Sequence, residues 1–95
     1  GNIFLLSNRG SIDTTAGSLF ANTGLTGVNG GFVSFQAGGD IATGSIFTDG
    51  GTQGGGGNIQ IQANGTVTVA PNQFIDSGTF GSGNGGDLSI TGRSI

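Results

Sequence analysis

The chain has 95 residues, of which 23 are Gly, five are Asp and two are Arg; Cys, His, Met, Trp, Tyr, Lys and Glu are all missing, and the net charge is −3. Without imidazole or thiol there is no histidine base, cysteine nucleophile, zinc cage, iron–sulfur site or disulfide. Two separated Arg cannot build the basic patch that nucleic acid requires, and no apolar run approaches the roughly 18 residues of a membrane-spanning helix.

From the N-terminus, Gly1-Asn2 leads into a first alternating run, Ile3-Phe4-Leu5. A second apolar position, Ile12, lies in Gly10-Ser11-Ile12-Asp13, and a third, Leu19, in Ser18-Leu19-Phe20. A Gly-rich tract from Ala21 to Gly31 follows, and then the order repeats. Gly30-Gly31 precedes Val33-Ser34-Phe35; Ile41 lies in Gly39-Asp40-Ile41-Ala42, and Ile46 in Ser45-Ile46-Phe47; the tract is Thr48 to Gly57. Next, Gly56-Gly57-Asn58 precedes Ile59-Gln60-Ile61; Val67 lies in Gly65-Thr66-Val67-Thr68, and Phe74 in Gln73-Phe74-Ile75; the tract is Ser77 to Gly86. A fourth unit opens with Gly85-Gly86-Asp87, then Leu88-Ser89-Ile90, and closes on Arg93-Ser94-Ile95.

The first series (3, 33, 59, 88) is spaced 30, 26 and 29 residues, the second (12, 41, 67, 95) 29, 26 and 28, and the third (19, 46, 74) 27 and 28. The three tracts hold 15 of the 23 glycines, so Gly concentrates at one phase of the period. Period-two alternation gives each run one apolar and one polar face. Runs this short cannot bury an apolar face alone, but equivalent runs stacked roughly 4.8 Å apart can. The prediction is an all-β fold, a parallel (right-handed) β-helix or β-solenoid of about three coils of about 28 residues, with three short strands per coil. Residues 1–95 form one such segment, with coils at approximately 1–30, 31–56 and 57–85 and a partial coil at 86–95. An antiparallel sandwich fits the local spacing, but has no reason to repeat its turn chemistry every third strand. Strand pattern and twist do not by themselves set the hand, although right-handed crossovers are the usual choice.

The stretch Phe74-Ile75-Asp76-Ser77-Gly78-Thr79-Phe80-Gly81-Ser82-Gly83-Asn84-Gly85-Gly86-Asp87-Leu88-Ser89-Ile90 resembles the repeats of filamentous-haemagglutinin-like exoproteins of the two-partner-secretion type, as in large cyanobacterial surface proteins. Asn58-Ile59-Gln60-Ile61-Gln62-Ala63-Asn64-Gly65-Thr66-Val67 is similar to the same repeat one unit earlier; the likeness is looser over residues 1–28. The resemblance implies a right-handed β-helical shaft, secreted and exposed on the cell surface.

Sites of chemistry are scarce. Gly81-Ser82-Gly83-Asn84-Gly85-Gly86 matches G-x-G-x-x-G, but it leads into a strand, whereas a dinucleotide loop leads into a helix. Asp87 after that stretch invites comparison with the calcium-binding nonapeptide repeat, yet its equivalents are Phe32 and Asn58. Asp49 and Asp76 are 27 residues apart, with Asn22 another 27 before. If they stack, their carboxylates lie about 5 Å apart. Asp at the start of a tight turn, bonding its own backbone, is the favoured reading; a weak surface cation site is the lesser alternative, and a catalytic pair would need a cleft and cationic partners that the chain lacks. Thr66-Val67-Thr68 is a Thr-x-Thr word of the ice-binding kind, without repetition in neighbouring units. Asn64-Gly65-Thr66 is an N-glycosylation sequon and also a tight-turn signal. Phe20, Phe32, Phe47 and Phe80 lie on the apparent outer phase or at coil corners. No residue is nominated as catalytic, cofactor-binding or metal-ligating, and no cofactor is expected.

The expectation for function is therefore a non-enzymatic structural and adhesive shaft segment of a secreted filamentous protein. Its partners are neighbouring coils of a longer chain, or identical subunits stacked end to end, together with surface glycans. Nucleic acid and membrane insertion are not expected. The alternative is a ligand-binding solenoid carrying ice, calcium or carbohydrate on a flat face. The chain shows no starting Met and no terminal caps, and it stops ten residues into its fourth unit. A slice of a longer shaft is favoured over a self-stacking subunit.

Overall fold

A computed structural model of the chain describes residues 2–23, 27–51, 53–78 and 85–95. Ten strands follow in chain order: β1 (Ile3–Ser7), β2 (Ile12–Thr14), β3 (Leu19–Phe20), β4 (Val33–Ala37), β5 (Ile41–Thr43), β6 (Ile46–Phe47), β7 (Ile59–Ala63), β8 (Val67–Val69), β9 (Ile75–Asp76) and β10 (Leu88–Thr91). They form three sheets, ordered β1-β4-β7-β10, β2-β5-β8 and β3-β6-β9. Every strand pairs with its equivalent one coil away, and every pair is parallel. The fold is a parallel β-solenoid. Parallel neighbours normally need a long crossover, and here the other two strands of each coil supply it.

The register follows the repeat. Ile3 lies against Val33, Val33 against Ile59, and Ile59 against Leu88. In the second sheet Ile12, Ile41 and Val67 form a column, which the Thr66–Ser94 bridge extends towards the C-terminus. Alternation decides what is buried. In β7, Ile59, Ile61 and Ala63 point inward while Gln60 and Gln62 face solvent. In β4, Val33, Phe35 and Ala37 point inward and Gln36 outward. Phe35, Ile41, Ile46, Ile59, Ile61, Val33 and Val67 are sealed from water and make up most of the core. Burying such a side chain is worth roughly 1.5–3 kcal/mol each. The core is deepest in the two middle coils. Ile3, Leu5, Ile12 and Leu19 on one side, and Ile75 and Ile90 on the other, are only partly buried against it. One polar column is also interior: Thr14 Oγ1 donates to Thr43 Oγ1 at 2.9 Å, and the hydroxyl of the fully buried Thr43 donates in turn to Gly44 O at 3.1 Å.

The third sheet departs from the expected register by one residue. Ile46 pairs with Ile75, not with Phe74, which is 68% exposed. The cause is the corner between the second and third strands. Gly44 and Ser45 alone span it in the second coil, whereas residues 70–74 span it in the third. That longer corner carries Pro71 and a left-handed Asn72 (φ 62°). Buried Ser45 anchors it from below: its hydroxyl donates to Gln73 Oε1 at 2.7 Å and accepts the Phe74 N–H at 3.0 Å.

Candidate functional site: the base of the glycine-rich loops

Each Gly-rich tract leaves the coil and returns to its own starting point. The N–H of Gly31 donates to Ala21 O, that of Gly57 to Thr48 O and that of Gly86 to Ser77 O, each at 2.7 Å. In the second and third coils a hydroxyl doubles the closure: Thr48 Oγ1 donates to Gly57 O at 2.8 Å, and Ser77 Oγ to Gly86 O at 3.1 Å. The tracts are therefore loops pinched at the base, with bases stacked coil upon coil. Gly is required there by close approach. A Cβ on Gly57 would collide with the carbonyl oxygen of Gly31 below it, and one on Gly86 with that of Gly57. The sequence pattern located the tracts, but a closure made by backbone groups leaves no side-chain signature beyond the hydroxyls of Thr48 and Ser77.

Asp49 and Asp76 meet at this base. The backbone columns are not quite those expected, because Asp76 sits over Phe47 while Asp49 sits over Asn22. The side chains converge all the same. Asp76 Oδ1 accepts the Gly78 N–H at 2.9 Å. A Cβ on Gly78 would lie 3.0 Å from that oxygen and 3.7 Å from Asp49 Oδ1. Asp49 is only 8% exposed, and its Oδ1 is shielded from solvent with no hydrogen-bond partner. Burial, and then the negative charge of Asp76, push the Asp49 carboxyl above its ordinary range.

The other sequence-derived candidates are scattered. In the column of Phe32, Asn58 and Asp87, Asn58 Oδ1 accepts the Asp87 N–H at 2.9 Å, so Asp87 is the one carboxylate there. Most of the G-x-G-x-x-G stretch, and Phe80, lie outside the described residues; Leu88–Thr91 after it is a strand. Thr68 is in register with Ala42 and Asp13, so the Thr-x-Thr word stands alone in its sheet. Asn64 is exposed at a turn, where its N–H donates to Ala37 O at 3.1 Å. The outer Phe residues pair along the axis: Phe20 stacks on Phe47 at 5.1 Å between ring centres, and Phe4 on Phe32 at 6.0 Å. A groove of about 140 Å³ on the polar side of the first sheet is lined by Leu6, Ser7, Gln36, Gln62 and Asn64 among others. Among the described residues no helix is long and apolar enough to cross a membrane. The chain matches no family model, no curated protein and no solved structure.

Proposed function

We propose that the chain is a structural and adhesive shaft segment of a secreted, filamentous cell-surface protein, and that it does no chemistry on a substrate. The observation that carries this reading is the unbroken parallel stacking of equivalent strands in all three sheets. Such stacking builds length by repetition: each coil needs only its neighbours, and backbone hydrogen bonds align with the stacking axis. The outward rows Gln60–Ser89 and Gln36–Gln62–Thr91 present amides and hydroxyls at coil spacing, while Ser34, in register with Gln60, is buried. Repeated contacts of that kind suit surface glycans, where many weak bonds act together. Secretion and surface display follow from the resemblance to filamentous-haemagglutinin-like repeats. A ligand-binding reading draws support at one place, the carboxylate pair at the loop base.

Beads coated with the purified chain, drawn by flow over glycan-coated surfaces, test the proposal. Retention well above that of beads carrying a composition-matched scrambled chain is the expected result. Equal retention removes the adhesive role, and cleavage of any acidic polysaccharide in a panel replaces the shaft with an enzyme.

A further inference from the structure

Asp49 is almost wholly enclosed, and its Oδ1 is shielded from water. Its backbone is already committed: the N–H donates to Asn22 Oδ1 at 2.9 Å and the carbonyl accepts from Thr23 at 3.1 Å. Its Oδ1 nonetheless makes no hydrogen bond of its own, although the Gly78 N–H that Asp76 holds lies close enough to ease its charge. A buried carboxylate in that condition is costly unless a cation or a proton satisfies it. The chain's two cationic side chains are elsewhere: Arg9 and Arg93 belong to the corner between the first two strands of a coil. Asp76 adds a second negative charge from the next coil and faces solvent, which leaves a way in from outside. A side chain at Gly78 would crowd the pair, since its Cβ would start 3.0 Å from Asp76 Oδ1 and 3.7 Å from Asp49 Oδ1.

We propose that Asp49 and Asp76 bind one divalent, oxygen-seeking cation between the second and third coils, with Ca²⁺ as the ion that fits. Two carboxylates supply up to four oxygens, and Ca²⁺ accepts six to eight in irregular geometry, so water entering on the Asp76 side completes the shell. No cluster of three or more acidic side chains forms among the described residues. Affinity therefore falls in the weak range of extracellular modules, about 10⁻⁴–10⁻³ M. The ion would tie two coils together at the foot of their loops.

Calorimetric titration of the chelator-treated chain with CaCl₂ at neutral pH tests the site. One ion per chain is expected, with affinity lowered at least about tenfold by Asp49→Asn and by Asp76→Asn. Gly78→Ala, which keeps both carboxylates but puts a methyl beside them, is expected to weaken binding comparably. Asp13→Asn is expected to bind like the parent, because Asp13 is already engaged by Thr15. Should Asp49→Asn fail to fold, the surface variant Asp76→Asn and Gly78→Ala carry the test. No binding up to about 10 mM Ca²⁺, ten times the weakest affinity expected, would show that a shared proton alone holds the pair. Binding that survives both Asp→Asn changes would likewise overturn the site.

Discussion

Asp40 accepts the backbone N–H of Thr66 through Oδ1 at 2.8 Å, from one coil to the next. The same geometry recurs where the chain turns between strands: Asn2 takes the N–H of Phe32, Asn22 that of Asp49, Asn29 that of Gly55 and Asn58 that of Asp87. At corners the backbone leaves the ladder, and a short side chain from the coil before supplies the missing acceptor. Asp40→Ala removes one such acceptor at an exposed turn. The expected loss is about 0.5–1.5 kcal/mol in urea unfolding, with Asp40→Asn close to the parent, since an amide oxygen can fill the role. Equal losses for Ala and Asn would mean that the charge, not the hydrogen bond, matters.

The one-residue shift in the third sheet gives a paired test. Ile75 continues the column of Leu19 and Ile46, while Phe74 points to solvent. Ile75→Ala is expected to cost about 1–3 kcal/mol, below the range for a fully buried Ile because Ile75 is half-buried. Phe74→Ala is expected to stay within about 0.5 kcal/mol of the parent. Reversed costs would restore the alignment that spacing alone suggests.

That shift marks the limit of what the sequence carries. The first and second sheets were legible because Val33, Ile59 and Leu88, and Ile12, Ile41 and Val67, sit in alternating runs bounded by Gly words. Alternation fixes which residue faces in, and a slip by one would expose the whole set. A two-residue strand has no alternation to phase, and Phe74-Ile75 offers two adjacent apolar choices. Only the length of the corner beneath, set by Ser45 and Pro71, decides between them. The carboxylate pair was legible as a spacing. The burial of Asp49 was not, because that depends on the loop closure by Thr48 and Gly57, which is made by the backbone and one hydroxyl.

Glycines in this chain divide into those that packing requires and those it does not. Gly57→Ala drives a methyl into the Gly31 carbonyl, backbone against backbone, with no flexible neighbour to yield. The expected outcome is a loss of about 1–3 kcal/mol, or a weakly folded chain, by circular dichroism and urea unfolding. Gly17→Ala meets nothing within 4 Å. It is expected to be neutral or to stabilise by up to about 1 kcal/mol, through the reduced freedom of the unfolded chain. Equal effects at the two positions would show that the loop bases are not stacked as described.

Asp49 sets a pH dependence opposite to that of most structural carboxylates. Burial, then the charge of Asp76, raises its carboxyl above the ordinary 3.8, so the folded state holds the proton more tightly than the unfolded state does. Folding is thus favoured as pH falls from neutral through the raised value, and the gain levels off below 3.8, where both states are protonated. Asp13 works the other way: hydrogen bonds from the Thr15 hydroxyl and N–H lower its carboxyl, and that contribution is lost only as pH drops beneath 3.8. Of these two groups only Asp49 gains from protonation above 3.8, and Asp76 is the carboxylate that faces it. Urea midpoints measured in chelator are expected to rise from pH 7 towards pH 4.5. Asp49→Asn, a neutral stand-in for the protonated acid, is expected to raise the midpoint at pH 7 and to flatten the slope. A parent midpoint that falls steadily across that window would show that Asp49 is ionised and satisfied in the folded chain.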